Sequence, residues 1–526
     1  PVHSSRRASL SINEMKVFVD KVASLLLSRA GLCRFDRVAV WKTNGPDYYF
    51  FSSAIIRAGG VSVPINPGME KDSLKYYLKH TGARILVTDE ETMRRHGVNA
   101  SDLDMIDHFV VPSVSGDFEG SHTNLQRHLP DASPLTTPVK LHGDADVLLV
   151  HTSGTTGFPK ATIVTSRSLI GAIRSDAKRH FMSPSNRVLT GAPFNHAFSH
   201  ILMMVCLMAG IRLWSLSEPD GEKALKTIEE NKLNVVAGFA IMFLRMYLTG
   251  LDRFDLRSVR AWMSVADAAH EVHMRAFVKQ GAFLRLGPIK LISSMFLDGL
   301  GSSEVGTSGT RFYVNSFTRT FNRCIGSQEW FGPRVKCGDE YGRRLPPGQL
   351  GRMYTKGETL FKGYWNAHER LHGTVIDGWW WTGDVVYQDW WGRYFHLDRA
   401  ADTIHTKEGP VYTLVIEESA VKHPDVLEAA CFAVPGPEGA EEVALVAYVL
   451  KEGASSDVNS ILAWTNDRIT IGTKAYGAIR VGLEDLPLGL TGKVLKRKLR
   501  EIYVDYYRQD KRAIAPESAA PVAAVG

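Results

Sequence analysis

Cysteine is scarce in this chain of 526 residues: only Cys33, Cys206, Cys324, Cys337 and Cys431 occur. The number is odd and none stand as Cys-x-x-Cys, which argues against a zinc ribbon or a disulfide scaffold and for a reducing compartment. Most are expected to be buried small hydrophobes. A strong charge of one sign is lacking too. Lys and Arg number 62 against 56 Asp and Glu, and the resulting +6 does not by itself point to nucleic acid or an anionic membrane. Long apolar runs are missing. The longest covers residues 201–211 and ends at Arg212, well short of the ~20 residues that span a bilayer, so it is expected to be a buried helix of a soluble, cytoplasmic protein. The chain starts at Pro1 without an initiator methionine, so some native residues are expected to be missing. Pro1-Val2-His3-Ser4-Ser5-Arg6-Arg7 is not followed by the apolar run of a signal peptide. No short internal period marks a solenoid, and no Gly-x-Ser-x-Gly elbow marks a serine hydrolase.

What is present is enough apolar residue, 44%, for large cores, in a chain too long for one ordinary domain. Met15, Phe18, Val22, Leu25 and Leu26 lie on one face of a predicted helix over about 10–35. Strands over 38–41, 61–65 and 83–88 alternate with helices over 48–58 and 73–81, which implies a parallel α/β sheet. The alternation resumes with helices over 166–177, 224–230 and 242–248 and strands over 187–190 and 235–238. Beyond about 330, glycines, aromatics and turn signals become dense, as in Gly363-Tyr364-Trp365-Asn366. This predicts a β-rich subdomain closing the large body. From about 400, strands over 431–434 and 443–450 and a helix over 460–466 suggest a smaller unit. The expected fold is therefore α/β: a large body over 1–399, a small α+β domain over 400–512, and a disordered Ala/Pro-rich tail over 513–526.

One stretch stands out. Val147-Leu148-Leu149-Val150 reads as a buried strand, and His151-Thr152-Ser153-Gly154-Thr155-Thr156-Gly157-Phe158-Pro159-Lys160 follows it. Glycine lets backbone N–H groups close on a ligand, hydroxyls add donors, and Lys160 adds a point charge, so the loop suits an anion better than a plain surface turn. It is not a Walker A loop, because Phe158-Pro159 separates Gly157 from Lys160.

The string Thr152 to Lys160 resembles the phosphate-loop signature of the adenylate-forming superfamily: acyl- and aryl-CoA synthetases, peptide-synthetase adenylation domains and firefly-type luciferases. Further motifs follow in that superfamily's order. Pro193-Phe194-Asn195-His196 resembles the motif of a gating histidine beside the acyl pocket. His196 and His200 are four apart and could share a metal on a helix, but no Glu follows as in HExxH and no third ligand is apparent. Ser264-Val265-Ala266-Asp267-Ala268-Ala269 sits where the family has a Ser-Gly-Gly-Ala-like loop along the adenine, without its glycines. Leu297-Asp298-Gly299-Leu300-Gly301-Ser302-Ser303-Glu304 is similar to the Gly-x-Gly-x-Thr-Glu motif, in the form of benzoate-type CoA ligases. Trp381-Thr382-Gly383-Asp384 is similar to the ribose-binding Thr-Gly-Asp motif, and Leu488-Gly489-Leu490-Thr491-Gly492-Lys493 to the segment bearing a catalytic lysine.

The resemblance implies ATP and Mg²⁺ as cofactors and a first step in which an acid and ATP give an acyl adenylate and pyrophosphate. It places the phosphates on Thr152, Ser153, Gly154, Thr155, Thr156, Gly157 and Lys160, and the base along Ala266, Asp267, Asp298, Gly299 and Leu300, with Leu300 in place of a stacking Tyr. Ser303 would meet the α-phosphate, Glu304 and Thr155 the metal, and Asp384 and Arg399 the ribose. Lys493 would act in catalysis, and His196, Phe239, Met242, Val265 and Gly299 would line a pocket for an aromatic or medium-sized apolar acid. A hinge would lie at 399–402, where Asp398 replaces the family's Gly. Downstream, Lys496, Arg497, Lys498 and Arg500 read as a solvated basic helix face.

The acceptor half departs from the pattern. CoA ligases have Lys-x-x-Gly-x-x-Val/Ile after the hinge, whereas here His405-Thr406-Lys407-Glu408-Gly409-Pro410-Val411 puts Glu408 on the glycine, unless Gly409 restores it with a one-residue shift. CoA, an amine, a carrier-protein thiol and nitrite, as activated acid in a diazotisation, all stay open. So does a ligase-fold binding protein without activity, against which the joint retention of Lys160, Glu304, Asp384 and Lys493 argues.

Overall fold

The computed structural model describes residues 9–507 except 115, 117, 153–158, 180–182, 266–268, 288, 320, 438–440 and 490–492. The first helix, Ile12–Ser28, opens on a capping box between Ser11 and Glu14, which satisfies the orphan N–H groups of its first turn. It stops before 35 because Gly31 takes a positive φ of 64°, the left-handed turn that ends helices. Phe18, Val22, Leu25 and Leu26 are buried as expected, in a core shared with the helix Asp47–Arg57.

Among the described residues the strands form an eight-stranded and a twelve-stranded sheet with three smaller ones, so the architecture is mixed α/β. In the first sheet Arg37–Val40 lies parallel to Val61–Pro64 and to Ile85–Val87. Asp146–Thr152 joins it through Ser62 opposite Leu148. The parallel run ends there: Lys160–Thr165 returns antiparallel, with Thr152 opposite Lys160. Lys160 therefore opens a strand and not a helix.

Among the described residues the second sheet holds five parallel strands, Arg212–Ser215, Arg187–Thr190, Val235–Phe239, Ala261–Val265 and Met295–Asp298. It then continues antiparallel from Thr310–Val314. The β-rich part thus starts about twenty residues before the composition change and extends the same sheet, through Cys324–Gln328, Arg393–Arg399, Trp379–Gln388, Leu350–Lys356 and Arg334–Gly338. The apolar run at 201–211 is the helix Ala197–Met208, hydrophobic nearly all round because four core clusters surround it. No helix among the described residues is long and apolar enough to cross a membrane.

After Arg399 the chain builds a three-stranded sheet of its own from Val426–Pro435, Glu442–Leu450 and Gly477–Val481. Apolar clusters cover both of its faces, which is why 443–450 reads as a continuous apolar run and not an alternating one. Cys33 is exposed and the other four cysteines are buried.

Candidate active site

Ligands of open α/β sheets sit beyond the carboxyl ends of parallel strands. Here those ends carry Phe239, Val265 and Asp298 in adjacent register, with Phe239 opposite Val265 and Ser264 opposite Asp298. His196 caps the helix Ala197–Met208, its Nδ1 accepting from the Phe198 N–H at 3.3 Å, and its ring meets Phe239 edge-on at 5.0 Å. Desolvation in this crevice pushes the imidazole down to about 4, so it is neutral at pH 7. Met242 lies deeper than a pocket wall. It is fully buried, and its sulfur fills the space above Gly191 and Gly238, where an added Cβ would come within 2.6 and 2.7 Å.

Lys160 begins the strand after the loop, and its ammonium stands 5.5 Å above the Tyr364 ring. Tyr364 donates its hydroxyl to Glu304 Oε1 at 3.0 Å. Burial, then Arg370 and Arg399, lower the Lys160 pKa, while Glu304 opposes them. Lys160 thus lies within the electrostatic reach of two arginines and one carboxylate. Ser303 is buried beside Glu304. Leu300 is partly buried against the core cluster that includes Ile325, Val335 and Met353, and Gly299 follows the strand end directly.

Asp384 is almost completely buried, with Oδ1 3.0 Å from Arg399 Nη1 and 3.1 Å from His396 Nε2. Burial opposes its charge, but Arg399 and His396 outweigh it and hold the carboxyl well below the usual range. Asp384 and Arg399 face each other across paired strands, so residues fifteen apart in sequence meet because the hairpin register dictates it.

Ser153, Gly154, Thr155, Thr156, Gly157, Ala266 and Asp267 lie outside the described residues. Thr152 closes the strand before the loop. Lys493 lies beside an isolated antiparallel bridge between Leu488 and Val494, and its carbonyl accepts from the Gly489 N–H at 2.7 Å. Among the described residues no hydrogen bond or ion pair joins its ammonium to Lys160, Glu304, Asp384 or Arg399. Lys496 departs from the solvated face expected of it. It is buried, donating to Thr413 Oγ1 and pairing with Glu417 at 3.0 Å.

Two site residues were missed in the sequence. Tyr364 lay in a segment read as a turn, and His396 in a strand with no motif. His151, quoted with the loop but given no role, is also neutral. Its Nε2 accepts from the Asn66 N–H at 3.0 Å, and burial followed by the neighbouring His196 brings it down to about 4. In the acceptor segment Ile404 pairs with Val411 and Thr406 with Gly409. Lys407 and Glu408 are therefore the turn, exposed at the hairpin tip, and Gly409 lies within the strand at φ 123°.

The AMP-binding enzyme family matches residues 2–365. The chain is an AMP-binding enzyme. It belongs to the adenylate-forming superfamily, whose shared step is activation of an acid with ATP. It is 30% identical over 520 residues to the 3-aminoavenalumate diazotase of a Streptomyces species, across 94% of this chain and 90% of that one. It is 28% identical over 486 residues to the feruloyl-CoA synthase of an Amycolatopsis species, across 90% of each. ATP-bound MatB from Rhodopseudomonas palustris superposes with a TM-score of 0.80 at 24% identity, over 95% of this AMP-binding enzyme and 94% of that chain, a likeness of fold.

Proposed function

We propose that this AMP-binding enzyme activates nitrite as its adenylate and passes the nitrosyl group to an aromatic amine. What supports this over transfer to CoA is Glu408 at the tip of the hairpin, which falls on the CoA-ligase glycine when the segment is read without the one-residue shift to Gly409, together with the similarity to a diazotase along nearly the whole chain. A carboxylate there would crowd and repel a polyanionic cosubstrate passing close to the backbone.

For ATP, the support is Lys160 over the Tyr364 ring whose hydroxyl binds Glu304, with Arg370 and Arg399 within electrostatic reach of Lys160. The glycine-hydroxyl loop and Lys160 would hold the β- and γ-phosphates, Ser303 the α-phosphate, and Asp384 would accept from both ribose hydroxyls with Arg399 beside it. One Glu304 oxygen is taken by Tyr364; the other, with Thr155, would hold a Mg²⁺ whose remaining ligands would come from phosphate. Such an ion would neutralise phosphate charge. A nitrite oxygen attacks the α-phosphorus and pyrophosphate leaves, while Lys493 steadies the developing charge. The amine nitrogen then attacks the nitroso nitrogen, AMP leaves, and the resulting N-nitrosamine loses water to a diazonium. Between the steps the C-terminal unit would turn about 399–402 and withdraw Lys493.

A second reading is an aryl-CoA ligase, favoured by the benzoate-like Asp298-Gly299 segment and the similarity to a feruloyl-CoA synthase. AMP and pyrophosphate release are to be measured with nitrite and with a panel of aromatic carboxylates, each with and without aromatic amines and CoA. Nitrite- and amine-dependent AMP release, with an azo dye formed on coupling, is the expected result. AMP release that needs a carboxylate and CoA and ignores nitrite would overturn the diazotase reading for the ligase one.

A further inference from the structure

Residues 282–293 form a hairpin that belongs to neither large sheet. Ala282–Leu286 and Ile289–Ser293 pair only with each other among the described residues. Its root is fixed: Ala282 and Ser293 are buried, and the backbone at Gly281 passes so close to Val259 that an added Cβ would fall 1.8 Å from its carbonyl oxygen. Its tip is bare. Leu286 is 67% and Ile289 59% exposed, and Phe283, Leu284 and Leu291 are exposed as well.

Two features say what could cover these side chains. The exposed apolar side chains come from both strands, Leu284 and Leu286 from one and Ile289 and Leu291 from the other, so the whole tip is apolar and not one edge of it. A soft apolar layer admitting the tip would cover all four. The hairpin is also purely cationic. Arg285 stands opposite Lys290, Arg260 lies over the Phe283 ring at 5.4 Å, Lys290 donates to the carbonyl of Lys279 at 2.7 Å, and no Asp or Glu occurs between 281 and 297. A second copy would set four like charges against one another, while an anionic surface would pair with them. At ~3.3 Å per residue the three residues from Leu284 to the turn reach about 10 Å, the upper end of the depth to which interfacial segments enter the headgroup/acyl boundary.

We propose that the hairpin 282–293 is an interfacial anchor, its tip of Leu284, Leu286, Ile289 and Leu291 entering the headgroup layer of an anionic bilayer and Arg285 and Lys290 meeting lipid phosphate. Neither an apolar tip nor a few basic residues alone holds a protein on a membrane, but the two together do so reversibly. The placement leaves the active site free. The candidate site lies at the carboxyl ends of Ala261–Val265 and Met295–Asp298, and the hairpin feeds the amino end of Met295–Asp298, at the opposite edge of the sheet.

The test is co-sedimentation of the full chain with vesicles of phosphatidylcholine alone or mixed with phosphatidylglycerol, in low and high salt. Binding to the mixed vesicles, at least ten-fold weaker to phosphatidylcholine and weakened by salt, is expected. The double variant Leu286→Ser/Ile289→Ser should lose at least ten-fold of that binding with unchanged pyrophosphate release and melting temperature. Arg285→Glu/Lys290→Glu should lose the preference for anionic lipid. Wild-type protein left in the supernatant with both vesicles, or a Ser/Ser variant that sediments like wild type, overturns the proposal. So does a wild-type dimer in sedimentation velocity that the Ser/Ser variant abolishes, which would make the hairpin a contact between copies.

Discussion

Asp398, on the last long strand of the large sheet, is bound to Thr413 at the start of the helix Thr413–Val421. Thr413 donates its hydroxyl to Asp398 Oδ1 at 2.9 Å and its backbone N–H to Oδ2. Lys496 donates to the same hydroxyl and pairs with Glu417, whose Oε1 accepts the Cys431 N–H at 2.7 Å. One buried network therefore spans the segment where the hinge is placed and reaches within three residues of Lys493. Replacing the lysine by an apolar residue leaves two buried carboxylates, Asp398 and Glu417, without their cation. We expect Lys496→Met to lose about 3–5 kcal/mol, read from urea unfolding. A loss below about 1 kcal/mol would show that the network is not holding the fold.

Lys493, three residues earlier, should behave in the opposite way. Among the described residues its ammonium has no partner to lose, so Lys493→Ala is expected to fold and melt like wild type. If it steadies charge that develops only as the acid attacks the α-phosphorus, acid-dependent pyrophosphate release should drop by about a hundred-fold or more, with ATP affinity nearly unchanged by calorimetry. Near-normal pyrophosphate release would count against the mechanism.

The ribose contact can be examined through pH. Arg399 and His396 keep Asp384 ionised far below neutrality, so a carboxylate that accepts hydrogen bonds should do so across the working range. Asp384→Asn keeps the shape but turns one acceptor into a donor. KM for ATP should rise about ten-fold or more, with kcat falling less. His396→Phe should raise KM for ATP more modestly. Equal losses of kcat and kcat/KM in Asp384→Asn would move the residue from holding ATP to acting in the transition state.

Much of this was legible in the sequence, for identifiable reasons. Strands such as Arg187–Thr190 and Val235–Phe239 are short, buried and bounded by turn signals, so their apolar runs located them closely. Motif residues next to a strand end, Lys160 and Asp298 among them, came with their neighbours attached. What could not be read depends on which strands pair. Nothing local says that Lys160–Thr165 returns antiparallel, or that the β-rich part extends the parallel sheet. The buried state of Lys496 was hidden because its partners, Thr413 and Glu417, lie about eighty residues away. Tyr364 and His396 carry no signature as single letters, and only strand register brings them to Glu304 and Asp384.

The buried neutral histidines make stability fall in acid. Burial pushes His151, His196 and His200 each down to about 4, whereas in the unfolded chain they titrate near 6.5. Between those values the unfolded state binds protons that the folded state does not, so stability is full above the unfolded value and drops as pH falls toward 4. For one histidine the loss approaches about 3 kcal/mol at the lower end. We expect the urea midpoint to decline steadily from pH 7 to pH 4.5, and His200→Gln, which removes one such group, to flatten the slope. An unchanged slope would mean that His200 is protonated in the folded protein.

His270 carries the reverse sign. It caps the helix Glu271–Gln280 and meets Glu418 through Nδ1 and Glu428 through Nε2, both at 3.1 Å. Around it Glu271 pairs with Lys422 at 3.0 Å and with Arg275, His273 lies alongside, and Arg323 approaches Glu418 to 3.9 Å. Burial opposes its charge, but Glu428 and Glu418 outweigh it and raise the imidazole well above its ordinary value. A raised folded pKa contributes stability that is complete below about 6.5 and is lost as pH climbs through the folded value. This contact joins the main body to the unit beyond Arg399, so His270→Gln should destabilise wild type most near pH 6 and progressively less toward alkaline pH. A deficit of the same size at pH 6 and pH 10 would mean that the two carboxylates are held by hydrogen bonds alone, with no charge on the ring.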